Sequence, residues 1–198
     1  MWNWIISCCF IACALTLGCN NEEQYKREVL AFQQNRNNAF LDPASSPFTQ
    51  NELKTFKGLR FAAVKKTYCA NAQITWLPFP EYIAIQQSDG STTTYMHTAI
   101  VAFELLDSTF TLNGYQTQQM REKRILFIPF TDASNGKSTY HGGRYIDLAY
   151  VDNHKEVVLD FNLCYAPLCA YVSRFSCPKV PLENNLPIQI EAGETGFN

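Results

Sequence analysis

The stretch DFNLCYAPLCAYVSRFSCP, from Asp160 to Pro178, places an acid, an amide and three cysteines close together. Such a set could hold a metal, provide a nucleophile or cross-link a loop. The chain has no C-x-x-C pair, and its three histidines, His97, His141 and His154, stand apart from the thiols, so the usual zinc spacing is missing and no metal is expected. A reactive thiol would require Cys164 or Cys69 to stay unpaired beside a base.

Tyr140, Arg144, Asp160 and Asn162 form the second group with chemical content. They fall in a strand-rich region where unpaired charge is costly, so each must find a partner or water. In the plain structural reading Arg144 pairs with Asp160 while Asn162 caps loose backbone groups. In the binding reading Arg144 grips a small anion through its planar fork, with Tyr140, Asp160 and Asn162 around it. Acid–base catalysis would need two carboxylates whose pKa values are split, and Asp132, Asp160, Glu183 and Glu194 are the candidates. Asp132 also suits an Asx turn ahead of Asn135-Gly136. No G-x-S-x-G elbow, phosphate loop, H-E-x-x-H or dinucleotide fingerprint is present, and no cofactor is expected.

These residues need a frame. The 198 residues suit one domain with a real core, and a net charge of −2 without a long like-charge run excludes a nucleic-acid partner. Between Glu22 and Leu41, Tyr25, Val29, Phe32 and Phe40 recur near helical spacing, which predicts one amphipathic helix with Lys26 and Arg36 facing water. From Leu59 the texture changes to Ile, Val, Phe, Tyr and Thr, with Asp89-Gly90, Asn113-Gly114 and Asn135-Gly136 as turn signals. Strands are expected near 59–64, 67–77, 82–87, 93–106, 109–117, 123–130, 144–151, 156–162 and 187–191. The fold class is therefore mainly β, an antiparallel sandwich or barrel-like sheet with one N-terminal helix packed on it.

The uncharged run from Trp2 to Gly18 ends at Cys19, followed by Asn20, Asn21, Glu22 and Glu23. It resembles a bacterial lipoprotein signal, with Cys19 as the lipidated new N-terminus. An uncleaved anchor or a simple secretory signal would be the alternatives. The implied organisation is a signal peptide at 1–18, a lipidated N-terminus, helix and connector at 19–58, and a β-rich domain at 59–198. The bilayer would be a partner through acylated Cys19, with the protein in the cell envelope at the outer membrane or cell surface. In that oxidising setting Cys69, Cys164, Cys169 and Cys177 are expected to form disulfides, and four thiols permit three pairings that spacing alone does not choose.

LFIPFTDASNGKSTYHGGRYIDL, and then VVLDFNLCYAPLCAYVSRFSCPKVPLENNLPIQIEAGE, resemble the C-terminal signature of the family called domain of unknown function 1684. The resemblance covers roughly residues 125–196 and implies a fold and a set of residues without a reaction. Cys169 and Cys177 match the family motif whereas Cys69 and Cys164 are additions, which implies the pairings 169–177 and 69–164. Ala166, Leu168, Val180, Asn185 and Thr195 depart from the family pattern, so a ligand touching those positions would be bound differently here. The expected function is an envelope lipoprotein with a non-catalytic small-ligand-binding or structural domain, its second partner a small polar or anionic ligand. The alternative is a hydrolase or transferase using carboxylates near Arg144 and Asp160.

Overall fold

The computed structural model describes residues 22–152 and 154–196. Helix α1 (Glu22–Leu41) carries Glu22 and Glu23 in its first turn, where negative charge favours the helix N-terminus. It buries Tyr25, Val29, Gln33 and Phe40, one face at intervals of four, four and seven residues. A second, single-turn helix α2 (Gln50–Leu53) is closed by a reciprocal capping box between Thr49 and Glu52. Phe40, Phe48, Phe56 and Tyr171 then gather into an aromatic cluster that fastens the connector to the C-terminal half.

The strands follow in chain order: β1 (Arg60–Phe61), β2 (Cys69–Gln86), β3 (Thr92–Leu105) and β4 (Ser108–Gln116). After the short helix α3 (Gln118–Glu122) come β5 (Ile125–Asp132), β6 (Arg144–Ala149), β7 (Glu156–Asp160), β8 (Asn185–Leu186) and β9 (Glu194–Thr195). The main sheet runs β6-β5-β4-β3-β2-β7, antiparallel throughout, with β8 added parallel to β5. β1 and β9 form a separate small ladder. The large sheet curls into a near-barrel whose two ends, β6 and β7, are also neighbours in sequence.

Alternate residues point inward, as the pleat requires. Ala72 and Ile74, Ala99 and Val101, Leu126 and Ile128, Ile146 and Leu148, and Leu159 with Phe161 build one continuous core. A smaller cluster of Ile85, Tyr95, Tyr115, Phe127 and Tyr145 packs separately. Burying each of the larger side chains contributes about 1.5–3 kcal/mol, so alternation along five strands sets the register strongly.

Several expected boundaries move. The segments 67–77 and 82–87 belong to one strand, β2, interrupted by a register shift between Trp76 and Glu81 where Leu77-Pro78-Phe79-Pro80 leaves the ladder. Two prolines cannot donate to it. Asn113-Gly114 is no turn but part of β4: a side chain at Gly114 would strike Leu126 on β5. The β3–β4 hairpin instead turns on Leu106 (φ 49°) and Asp107 (φ 60°), residue types without a glycine signal. The segment 187–191 is not a strand, and its short pairing lies at β8.

Candidate functional site

β6 hydrogen-bonds to β5 through Ile146 and Leu148, which leaves the polar backbone of Tyr145, Asp147 and Ala149 facing the seam toward β7. Tyr145 closes one rung: its N–H donates to Tyr165 O at 2.8 Å and its carbonyl accepts from Tyr165 N–H at 3.0 Å. Beside that rung the seam opens into a cleft of about 520 Å³. Its walls are Phe32 and Arg36 from α1, Ile146 to Ala149 from β6, Val158 and Asp160 from β7, and Leu163, Tyr165, Ala166 and Leu168 from the following turns. A smaller hollow of about 230 Å³ beneath α1 shares Phe32, Val158, Asp160 and Leu163 with it and adds Tyr25, Glu28, Val29 and Cys69.

Arg36 dominates the electrostatics of the cleft. It was expected to face water; instead its Nε donates to Glu194 Oε2 at 2.8 Å and its Nη2 to Ala166 O at 3.2 Å. Its guanidinium lies 4.4 Å from the centre of the Tyr165 ring. Helical spacing puts Arg36 four residues after Phe32, which also lines the cleft, and four before the buried Phe40. Glu194 is fully buried and also accepts from the Tyr171 hydroxyl. Burial raises its carboxyl above the ordinary value, while Arg36 and Tyr171 hold the rise in check.

Two further carboxylates line the cleft. Asp147 Oδ2 accepts from the Tyr165 hydroxyl at 2.9 Å. Its side chain opens to solvent on one side, while the protein crowding the others raises its pKa against the hydrogen bond from Tyr165 and the charge of Arg36. Asp160 is raised too, by burial, against donors from Asn162 and Tyr25. Its Oδ2 accepts from Tyr25 at 2.9 Å, and its Oδ1 from the backbone N–H (2.9 Å) and side-chain amide (2.8 Å) of Asn162. Asn162 also donates to Lys65 O at 2.9 Å and accepts from Lys65 N–H at 3.0 Å, tying the turn after β7 to the segment before β2.

The four residues singled out in the sequence therefore separate. Asp160 and Asn162 stay together at the cleft wall. Arg144 is elsewhere and pairs with Asp132 Oδ2 at 2.8 Å rather than with Asp160. Its Nη1 donates to Ala192 O and Glu194 O, and its Nη2 also to Ile190 O at 2.9 Å, so it clamps the loop before β9 from inside with no exposed surface. Asp132 further accepts from Ser134 N–H at 2.8 Å, the Asx turn expected there. Tyr140 lies at a third place, its hydroxyl 4.0 Å from Cys169 Sγ. Burial, then that sulfur, push its pKa up to about 12.

The expected disulfides are corrected. Cys169 and Cys177 are neighbouring thiols, and the Cys169 N–H donates to Cys177 Sγ at 3.3 Å instead of a bond joining the sulfurs. The 69–164 pairing is absent because Cys164, a free thiol, turns into the core toward Ala192 O, whereas Cys69 lines the hollow beneath α1. Burial pushes the Cys164 and Cys177 thiols up to about 11, far from the range of reactive thiolates.

Sequence reasoning missed Arg36 and Asp147 as site residues. For Arg36 the signal was its place in the 32, 36, 40 series. For Asp147 it was alternation, which sets it opposite Ile146 and Leu148 and so outside the core.

A near-barrel of antiparallel strands with a helix clasped over its open seam is the class of protein these features define. The chain belongs to the family described as Protein of unknown function (DUF1684), whose model matches residues 54–195. It is similar to an uncharacterized protein of Haloarcula marismortui whose structure was determined in solution by NMR. The two are 31% identical with a TM-score of 0.69, over 90% of this chain and 98% of that one. No curated protein matches.

The archaeal relative corrects the lipid-anchored reading. A homologue spanning nearly the whole chain was solved in solution, and among the described residues no helix is long and apolar enough to cross a membrane. The bilayer partner and the envelope placement are set aside on the ground of that relative. The signal at 1–18 and the lipidation site Cys19 lie outside the described residues.

Proposed function

We propose that the chain is a non-catalytic small-ligand-binding domain whose site is the cleft between β6 and β7. The observation that carries this reading is the pair Asp147 and Asp160 set in a largely apolar cleft, both with pKa raised, while the cation that lines the cleft, Arg36, is already matched by Glu194. Carboxylates held in that state gain by meeting a positive group, and Phe32, Ile146, Leu148, Val158 and Leu163 offer apolar contact beside them. The ligand class that fits is an amphipathic ammonium with an apolar body.

Acid–base catalysis through the same groups is less well supported. Both carboxyls are shifted in the same direction rather than split, and both Asp160 oxygens already accept hydrogen bonds from the protein. Of the other candidates, Asp132 and Glu194 are buried in internal pairs.

Calorimetric titration of the full chain with phenethylammonium tests the proposal. Binding is expected at pH 7, to weaken by about tenfold in Asp147→Asn, as the loss of one charge-assisted contact implies. Absence of binding, or equal binding by the variant, would overturn the assignment.

A further inference from the structure

A second site lies where the β2 and β3 ladders are both interrupted. Opposite the Leu77–Pro80 excursion, β3 carries an extra residue: its register with β4 slips between His97 and Ala99, and Thr98 is left over. Paired irregularities of this kind re-aim side chains beside binding sites. Here they open a cavity of about 300 Å³ whose lining includes Trp76, Thr98, Gln116, Arg121, Tyr150 and Asp152.

Its polar groups are unevenly satisfied. Thr98 is 4% exposed, yet its Oγ1 has no hydrogen-bond partner among the described residues. A hydroxyl left so is costly unless something else completes it. Arg121 forms no ion pair among the described residues; its guanidinium donates to Met96 Sδ at 3.9 Å. Asp152 is matched by Arg124 at 2.7 Å, which leaves Arg121 without a carboxylate partner among the described residues. Gln116 Nε2 donates to Ile125 O and the Tyr150 hydroxyl, fixing both polar side chains, and the Trp76 and Tyr150 rings meet at 4.7 Å.

We infer that this cavity binds a small hydroxylated ring bearing a carboxylate, of the uronic acid class. Arg121 takes the carboxylate through its planar fork, Thr98 exchanges a hydrogen bond with a ring hydroxyl, and Trp76 supplies an apolar surface for the ring face. The site shares no residue with the β6–β7 cleft, so the two readings stand or fall separately.

The test is titration of the full chain with sodium D-glucuronate by calorimetry, beside D-glucose as the uncharged comparison. Glucuronate is expected to bind, and glucose at least about tenfold more weakly. Arg121→Gln is expected to remove that difference, while Arg27→Gln, on the exposed face of α1, leaves it intact. Thr98→Val is expected to weaken glucuronate by about tenfold and yet raise Tm by about 2–4 °C, because it removes an unsatisfied buried hydroxyl. Asp147→Asn should leave glucuronate binding unchanged. No glucuronate binding, equal binding of glucose, wild-type binding by Arg121→Gln or Thr98→Val, or a lowered Tm in Thr98→Val would each overturn the inference.

Discussion

Arg36 on α1 and Glu194 at the start of β9 meet at 2.8 Å, joining the first described element of the chain to the last. The glutamate is wholly buried and the arginine 19% exposed at its side chain, so this is a largely interior ion pair. Removing one partner of such a pair is expensive because the other charge is left buried. Arg36→Met should destabilise the fold by about 3 kcal/mol in urea denaturation. The double variant with Glu194→Gln should recover part of the loss; no recovery would mean that Arg36 acts through packing alone.

Arg144 and Asp132 form the second interior pair, with neither side chain exposed. Asp132→Ala should cost about 3–5 kcal/mol by stranding the guanidinium. Because Arg144 does not line the β6–β7 cleft, the variant should bind phenethylammonium with unaltered affinity at temperatures where it stays folded. A specific loss of affinity would return Arg144 to the binding site.

Acidity should stabilise the protein over part of its range. Burial raises the carboxyls of Asp160 and Glu194 above values near 3.8 and 4.5 in the unfolded chain, and the protein crowding the solvent-open Asp147 raises it above 3.8 in the same direction. Between those values and the higher folded ones the native state binds more protons than the unfolded state. The stability these groups contribute is therefore complete below the unfolded pKa values and is lost as pH rises through the folded ones. Glu52 and Asp89 shift downward but lie at the surface, where solvent screens them. Tm should fall between pH 4.5 and pH 7, and Asp160→Asn should flatten that decline; a Tm rising steadily with pH contradicts the assignment.

Gly193 has φ +69°, and a side chain there would come within 2.7 Å of both Cys164 O and Phe161 O. Gly193→Ala should cost at least about 3 kcal/mol from the combined backbone strain and overlap. A midpoint of urea denaturation close to wild type would show that the loop before β9 can shift.

Alkylation checks the thiols. Cys164 is buried with its pKa near 11, so iodoacetamide at pH 7.5 should leave it unmodified in the native protein and label it once the chain is denatured. Peptide mapping that finds Cys164 in a disulfide contradicts the structure.

Much of the fold could be read from the sequence because one physical rule dominates it. Alternation along Arg144–Ala149 and Glu156–Asp160 predicts which residues enter the core, and Ile146, Leu148 and Leu159 do so. The helix over Glu22–Leu41 follows from the spacing of Tyr25, Val29 and Phe40 in the same way. Turn chemistry proved a weaker guide, since Gly114 serves a close approach of Leu126 and Leu106-Asp107 adopts positive φ without glycine. The site was read only in part. Asp160 and Asn162 were placed together by local spacing, whereas the partners of Arg36 and Arg144 lie 158 and 12 residues away and are set by how the sheet curls. Long-range pairing of this kind leaves no local trace, which is also why cysteines judged by motif were assigned bonds that the chain does not make.

The clasp of α1 across the seam has a practical corollary. The family model begins at residue 54, beyond both N-terminal helices. A fragment trimmed to that boundary would lose the Tyr25 donor to Asp160, the Gln33 donor to Asn162 O and the cation, Arg36, that is paired with Glu194. It would also lay bare the edges of β6 and β7, which invite pairing with other copies. Recombinant work on this domain should therefore retain the segment from Glu22, or yields will be governed by clumping rather than by the integrity of the sheet.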